Sequence, residues 1–156
     1  MRHLLPILLL LLVPQAAAQE AAESTPEAAI NRAIDRLSAA TAPGGGGAEA
    51  YGAELTDTFS RWTLGSRATD TKESWLAGIR SWFDEGWVVI DRETHHITID
   101  VEGGLAFVRR VVSESYQGPD GEITDPARAA VSEVWKSTRE GWKLHRVEVV
   151  SLPDAN

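Results

Sequence analysis

An arginine and a glutamate stand two residues apart near the end of the chain, at Arg146 and Glu148. In a β-strand this spacing places both side chains on one face. The guanidinium could anchor an anionic or carbonyl oxygen while the carboxylate acts as a base or acceptor, since charge pairs in partly apolar pockets are typical of functional sites. A structural ion pair within the sheet or at its rim is the alternative interpretation.

These two residues belong to a predicted β-hairpin over residues 127–151. Gly141 can adopt the positive φ that ends a type I turn with a bulge, so residues 139–141 form the predicted loop. This register pairs Val134 with Arg146 and Ser132 with Glu148. One face of the hairpin then carries Ala130, Ser132, Val134, Trp142, Leu144, Arg146, Glu148 and Val150. The other face carries Val131, Glu133, Trp135, His145, Val147 and Val149.

The pair His95-His96 has the composition of a metal site but not the geometry. Neighbouring strand residues point to opposite faces, so the two rings cannot easily hold one ion. The chain contains no cysteine. We therefore predict no metal and no cofactor, and we expect His96 to face the cavity side of the sheet together with Thr98 and Asp100.

Six tryptophans are many for a chain of 156 residues. Large aromatic side chains dominate the burial of a small domain, so most of them are expected in the core. Trp62, Trp82 and Trp87 fall at predicted helix–strand junctions, which makes them the best candidates to line a pocket for a flat apolar ligand.

An isomerase-type site needs a carboxylate base that faces an oxyanion donor across an apolar cavity. The sequence offers several residues of each type, and no spacing selects among them. The candidate bases are Asp57, Asp100, Glu133 and Glu148, and the candidate donors are Tyr51, Arg109 and Tyr116.

The elements that must position these residues begin with helices. Thr25 is a predicted N-cap, and Pro26 suits the first helical position. The glycine run at 44–47 ends this helix and connects it to a short helix predicted at 48–56. A less regular stretch follows to residue 65.

A third helix begins at a predicted capping box formed by Asp70 and Glu73, and Gly86 ends it. The apolar period then changes to two, which predicts strands at 87–91 and 95–101, or one strand with an irregular middle, and a long strand at 105–116. Helices followed by an antiparallel meander indicate an α+β fold. Strands this long must twist, so we expect the helices to pack in the concave side of a strongly bent sheet and to leave a pocket at its open end.

The first residues have the pattern of an export signal. A basic start at Arg2 and His3 precedes an apolar run at 4–13, and Ala16-Ala17-Ala18 suits cleavage. We predict a signal peptide at 1–18, a disordered leader at 19–25, one domain at 26–152 and a tail at 153–156. A disulfide-free exported domain indicates a bacterial periplasmic or secreted protein, with no membrane contact after cleavage.

The formal net charge of −8 argues against two classes of partner. Nucleic acids and anionic membranes bind basic patches, and no predicted element carries a basic stripe. Neither partner is therefore expected.

Four short motifs lie in the predicted strands and before the third helix: Phe-Ser-Arg-Trp at 59–62, Gly-Leu-Ala-Phe-Val at 104–108, Ser-Glu-Val-Trp at 132–135 and Glu-Gly-Trp-Lys-Leu at 140–144. The last two together are the most specific. With these motifs the chain resembles the nuclear transport factor 2-like superfamily, in particular its small SnoaL-like bacterial branch of unknown function. The resemblance covers residues 27–151, nearly the whole predicted domain.

The resemblance implies a cone-shaped, cystatin-like sheet wrapped around helices with an interior cavity. Members include isomerases, dehydratases, polyketide cyclases, epoxide hydrolases and modules that only bind or dimerise. Relatives often carry histidines on the final strand facing the cavity, where this sequence has Arg146 and Glu148, and often an arginine at the position of Ala130. The resemblance therefore favours the face with Arg146 and Glu148 as the concave one.

The leading hypothesis is an exported, non-catalytic protein whose cavity binds a small apolar or amphipathic molecule. Two alternatives stay open: an isomerase, lyase or cyclase that works through Glu148 and Arg146, and a module that forms a homodimer through the outer face of the sheet. The predicted cavity residues are Trp62, Trp82, Trp87, His96, Arg109, Ser132, Arg146 and Glu148.

Overall fold

A computed structural model describes residues 25–153. The helices in this range are α1 (Pro26–Ala40), α2 (Gly47–Ala53) and α3 (Lys72–Asp84). The strands are β1 (Leu55–Thr63), β2 (Asp70–Thr71), β3 (Val88–Glu102), β4 (Leu105–Gln117), β5 (Ala127–Thr138) and β6 (Gly141–Leu152). The predicted signal peptide, most of the predicted leader and the end of the tail lie outside the described residues.

The first helix begins as predicted. The Thr25 side chain accepts a hydrogen bond from the Ala28 N–H at 3.2 Å, and Pro26 occupies the first turn. This arrangement satisfies a backbone donor that no helical carbonyl can reach. No helix among residues 25–153 is long and apolar enough to cross a membrane.

The third helix begins one residue later than predicted. Thr71 is its N-cap, and Ser74 completes the reciprocal capping box in place of the predicted Asp70 and Glu73. The physical reason is that Asp70 and Thr71 form the short strand β2, which keeps their backbone extended, so Thr71 is the residue that precedes the first helical turn.

The sheet has the strand order β2-β1-β6-β5-β4-β3. Strands β3 to β6 form the predicted antiparallel meander. The stretch after α2 is predicted to be irregular, and this prediction is wrong. It forms β1, which pairs in parallel with β6. Its strand character comes from this partner about 85 residues away, which a local pattern does not reveal.

The core lies between α1 and the concave face of the sheet. Ile30 and Trp135 are fully buried there, and Leu144 joins them from β6. The buried residues of α1 recur at helical spacing, as the apolar pattern of its sequence predicts. The other core members are Ala33, Ile34, Leu37, Leu55, Phe59, Ala106, Val108 and Val147.

A β-bulge decides which face of the hairpin is concave. Val134 pairs with Arg146 as predicted, but Trp135 pairs with Leu144, so His145 is left as an extra residue. An extra residue inverts the alternation of side chains on one strand. Trp142 and Leu144 therefore lie on the same face as Val147 and Val149, and not with Arg146 and Glu148 as predicted.

The hairpin loop is shorter than predicted. Thr138 pairs with Gly141, which leaves a two-residue loop instead of the predicted three-residue one. Gly141 has φ of 108°, so the predicted positive φ is confirmed. The predicted loop has one residue more than the observed loop. The strand β6 accommodates that residue instead, as the bulge at His145.

Strand β3 is one strand with an irregular middle, one of the two forms predicted. Bulges fall between Val89 and Asp91 and between Thr94 and His96. The second bulge places His96 opposite Val111 on the convex face, whereas Arg92 lies opposite Glu114 on the concave face. Bulges thus redirect charged and polar side chains on both edges of the cavity.

Candidate functional site

A cavity of about 570 Å³ lies between α1, α3 and the concave face of the sheet. Much of its wall is apolar and includes Leu37, Ile79, Val112, Val131, Val147 and Val149. Gly78, Ala127 and Ser151 are the exposed residues of the lining, which places the opening between the middle of α3 and the end of β6. The volume is typical of sites for small molecules.

A buried ion pair joins β4 and β5 inside this cavity. Arg110 Nη2 donates to Glu133 Oε1 at 2.5 Å, and the two side chains are only 8% and 1% exposed. Glu133 Oε2 accepts a second hydrogen bond from the Trp135 indole at 2.9 Å. Both carboxylate oxygens are therefore engaged, so Glu133 holds its neighbours in place rather than serving as a free base.

A second pair joins β3 and β4. Arg92 Nε donates to Glu114 Oε1 at 2.5 Å, and Tyr116 donates to Glu114 Oε2 at 2.9 Å. Arg92 also donates to the Thr41 hydroxyl at the end of α1, at 3.1 Å. Burial and the neighbouring Glu114 carboxylate raise the pKa of Tyr116. The Tyr116 hydroxyl is thus protonated at neutral pH and acts as a donor.

Arg61 is the third cation on the concave face. Its guanidinium carbon lies 4.1 Å from the centre of the Trp75 ring, within the range of a cation–π contact. Its Nη1 donates to the Thr63 hydroxyl at 2.7 Å. Stacking and this hydrogen bond hold the guanidinium in a defined position on the cavity wall.

Tyr51 reaches the cavity from α2, and burial raises the pKa of its hydroxyl. The nearby Trp75 indole N–H lowers that pKa in part by donating toward the hydroxyl, but the contact falls outside regular hydrogen-bond geometry. The cavity lining therefore includes a neutral phenol and an indole donor without a regular hydrogen bond.

Of the predicted cavity residues, Trp82 contributes to the lining. It packs edge-to-face against Tyr116, with ring centres 5.9 Å apart, and so connects α3 to β4. The prediction that it contacts a ligand remains a prediction.

Arg146, Glu148 and Ser132 do not line the cavity. All three are exposed on the convex face of the sheet, and Ser132 pairs with Glu148 there. The predicted concave face is therefore wrong for these residues. For Arg146 and Glu148 on β6 the physical reason is the bulge at His145, which turns Val147 and Val149 inward instead.

The other predicted cavity residues also lie outside the lining. His96 and Arg109 are exposed on the convex face, where Arg109 pairs with Thr98. Trp62 lies opposite Glu148 on that face and donates to the Ser66 carbonyl. Trp87 packs against the loop after β4, because a Cβ on Gly118 would lie 3.2 Å from its ring.

The predicted set of cavity residues does not include the inward-facing charged residues Arg61, Arg92, Arg110 and Glu114, which line the cavity. The alternation within β4 contained a signal for two of them, because Arg110 and Glu114 share a face with the apolar Val108 and Val112. Glu133 was among the candidate bases, and it is the one that lies in the cavity.

Among residues 25–153, no group of three or more histidine, aspartate or glutamate side chains is arranged to hold a metal ion. His95 donates to or accepts from Ser113 at 2.7 Å, and His145 contacts Thr56 at 3.0 Å. These two rings thus have local polar partners on separate strands.

Comparison with known proteins gives matches of structure only. No family model matches the sequence, and no curated protein matches it significantly. The structure resembles an NTF2-like protein with a cystatin-like fold from Novosphingobium aromaticivorans, with a TM-score of 0.66, 21% identity, and coverage of 90% of this chain and 89% of that one.

Two further structures cover most of the chain. A protein from Exiguobacterium sibiricum, provisionally described as a Ca/calmodulin-dependent kinase II association domain, has a TM-score of 0.70 at 17% identity and covers 85% of this chain and 97% of its own. A protein from Streptomyces avermitilis, provisionally described as a dehydratase of the NTF2-like family, has a TM-score of 0.66 at 15% identity, covering 83% and 100%.

The TM-scores show a shared fold, and identities this low leave the SnoaL-like assignment a prediction. The helices on the concave side of a bent sheet, and the interior cavity, are the features that the resemblance implied. The described part of this chain has the cone-shaped, cystatin-like α+β fold of nuclear transport factor 2-like proteins.

Proposed function

We propose that this protein binds a small amphipathic molecule in its cavity and catalyses no reaction on it. The observation that carries the proposal is the state of the two interior carboxylates. Glu114 and Glu133 each use both oxygens for neighbouring side chains. A general base needs a free oxygen directed at the substrate, so these two groups organise a binding site instead.

The wall supports an amphipathic ligand. Apolar side chains from α1, α3 and three strands surround a few fixed polar groups, which is the usual composition of a small-molecule site. The alternative enzyme working through Glu148 and Arg146 loses its support, because both residues are exposed on the convex face. The similarity to the protein from Streptomyces avermitilis described as a dehydratase is a similarity of fold, and it identifies no catalytic base in this chain.

We also propose that the protein acts in the periplasm or outside the cell. The support is the signal-like segment at residues 1–18 and the lack of cysteine in the chain. N-terminal sequencing of the protein recovered from a bacterial periplasm checks this, with a new N-terminus after Ala18 as the expected result. A chain that stays in the cytoplasm with Met1 intact would overturn it.

A binding test can use a variant that narrows the opening of the cavity and keeps the fold. Gly78 lies at the opening, and a Cβ placed on it meets no atom within 4 Å. Gly78→Leu should therefore narrow the opening and also favour the helix, since glycine is a poor helix former. Ala77→Leu is the matched control, because Ala77 is exposed on the same helix and outside the lining.

The measurement is tryptophan fluorescence and melting temperature across a panel of amphipathic molecules. We expect at least one to bind the parent protein and Ala77→Leu equally, and Gly78→Leu about tenfold more weakly. A flat response of the parent protein to the whole panel would reject the proposed function.

A second candidate role is homodimer formation through the convex face. Leu105, Phe107 and Val150 are exposed there, at 39%, 42% and 36%. Exposed apolar groups on one face are typical of an interaction surface. Sedimentation at micromolar concentration should show a dimer that Phe107→Arg dissociates, and a parent monomer would exclude this role.

A further inference from the structure

The cavity holds one cation more than it holds carboxylates. Arg61, Arg92 and Arg110 face inward and line the cavity, whereas the carboxylates of the lining are those of Glu114 and Glu133. Asp70, opposite Arg61 in the β1–β2 ladder, lies outside the lining. The surplus is opposite in sign to the formal net charge of the chain, which is −8. A positive interior within an acidic protein favours an anion in the cavity.

A fourth arginine near the opening does not add to this surplus. Arg128 contributes to the lining, but it pairs with Ser113, whose neighbours Val112 and Glu114 face inward. Alternation therefore directs the Arg128 side chain to the convex face. Its Nη1 there donates to the Pro153 carbonyl at 3.5 Å.

Arg61 is the surplus cation. Arg92 and Arg110 each have a carboxylate at 2.5 Å, whereas the carboxylate facing Arg61 is Asp70, at 3.9 Å. That distance is too long for a hydrogen bond, and the Asp70 side chain is 43% exposed, so water screens it. A guanidinium has five N–H donors, and the described hydrogen bond to Thr63 uses one of them.

Unsatisfied donors in the same cavity point to the same ligand chemistry. Among the described residues, the buried side-chain atoms without a hydrogen-bond partner are Trp75 Nε1 and Arg110 Nε. Both are N–H donors, both residues line the cavity, and the Arg110 side chain is more than nine-tenths buried. A buried donor without an acceptor is costly, so a ligand that brings acceptor oxygens is favoured.

On the premise that the cavity binds an amphipathic molecule as proposed above, we propose that this molecule is a monoanion whose oxyanion group binds Arg61. The guanidinium is held over Trp75, which brings the charged group and the unsatisfied indole donor together on one wall. The apolar body then lies against Ile79, Val131 and Val149. One surplus cation matches one anionic group, because a second anionic group on the ligand would find no unpaired cation in the cavity.

Two fluorescent probes with the same aromatic body separate charge from shape. 8-Anilinonaphthalene-1-sulfonate carries one oxyanion, whereas N-phenyl-1-naphthylamine is its neutral counterpart. The variants are Arg61→Met, which removes the cation, and Arg109→Met, which removes an exposed arginine of the convex face. Binding is measured by probe fluorescence at fixed ionic strength, with Gly78→Leu reporting whether the probe is in the cavity.

We expect Arg61→Met to weaken binding of the sulfonate about tenfold or more and to change binding of the neutral probe by less than about twofold. Arg109→Met should change neither. Retained binding of the neutral probe also shows that Arg61→Met keeps its cavity.

If Arg61→Met leaves sulfonate binding unchanged while Gly78→Leu weakens both probes, the anion site is wrong and the cavity still binds amphipathic molecules. If the sulfonate does not bind, or Gly78→Leu leaves its binding unchanged, this inference is wrong. If the whole panel of amphipathic molecules also gives a flat response, the proposed function is wrong as well.

Discussion

The two faces of the β5–β6 hairpin carry the same types of residue in different surroundings. On the concave face Glu133 is 1% exposed and has two donors, Arg110 and Trp135. On the convex face Glu148 lies opposite Ser132, and both are exposed. A shift of one residue in one strand separates these outcomes. Residue type alone therefore does not decide whether a carboxylate is structural or solvated, because burial and partners do.

The two proposed roles of the protein use different faces of the sheet. The concave face contains an enclosed volume, two neutralised ion pairs and one cation with spare donors. The convex face presents charges to water, together with the exposed Phe107 and Leu105. The proposed small-molecule site lies on the concave face, and the proposed surface for a homodimer lies on the convex face.

The prediction with the largest effect removes one residue from β5 opposite the bulge. Deletion of Val134 makes Glu133 and Trp135 neighbours in the strand, so one of these two buried side chains must turn to solvent. We expect a loss of about 5 kcal/mol in the free energy of unfolding, or no folded protein, and urea denaturation measures it. Deletion of His145 is the control expected to remain folded, because Leu144, Arg146 and Val147 then alternate regularly and Leu144 and Val147 stay inward. Equal stability of the two deletions would contradict the assignment of the two faces.

The second prediction breaks the buried ion pair. Glu133→Ala leaves the Arg110 guanidinium buried without a carboxylate and the Trp135 indole without its acceptor. The expected loss of unfolding free energy is about 3 to 5 kcal/mol.

The matched control lies on the opposite face of the same hairpin. Glu148→Ala removes an exposed carboxylate and should change stability by less than about 0.5 kcal/mol. Equal losses in Glu133→Ala and Glu148→Ala would remove the distinction between the two faces.

The sequence predicts the elements of this molecule better than the faces of its strands. The N-cap at Thr25, the stripe that includes Ile30 and the meander of β3 to β6 follow from local patterns. Strand β1 does not, since its pairing with β6 is a long-range contact.

The candidate site failed for a related reason. Strict alternation groups Arg146 with Trp142 and Leu144, and the resemblance favours that face as concave. A bulge at His145 separates Arg146 from the other two, and a bulge also lies beside His96, while no residue type marks a bulge in advance. Trp82 lines the cavity from α3, whereas Trp62 and Trp87, predicted on the same ground of lying at helix–strand junctions, lie outside the lining. Prediction of the ion pairs between neighbouring strands requires the register of those strands, which the assignment of residues to faces does not give.

The third prediction tests the second interior pair. Tyr116→Phe removes the donor to Glu114 Oε2 and leaves Arg92 in place. The expected loss is about 1 to 2 kcal/mol, smaller than for Glu133→Ala, because Glu114 is 23% exposed and water can replace the lost donor. Thermal unfolding measures it, and a loss as large as that of Glu133→Ala would mean that the two pairs are equally buried in solution.

The smallest predicted effect concerns pH and the bulge residue itself. Burial and the positive charges of Arg146 and Lys136 lower the pKa of His145 in the folded protein. The unfolded chain therefore takes up a proton first as the pH falls through about 6.5, so this residue lowers stability on the acid side and contributes no change above it. His145→Gln should make the loss of stability between about pH 7 and pH 5 shallower than in the parent protein. Added salt should reduce the difference, since it screens the two neighbouring cations. A steeper pH dependence in His145→Gln would mean that the charged ring is stabilised at the bulge, which places an acceptor rather than cations beside it.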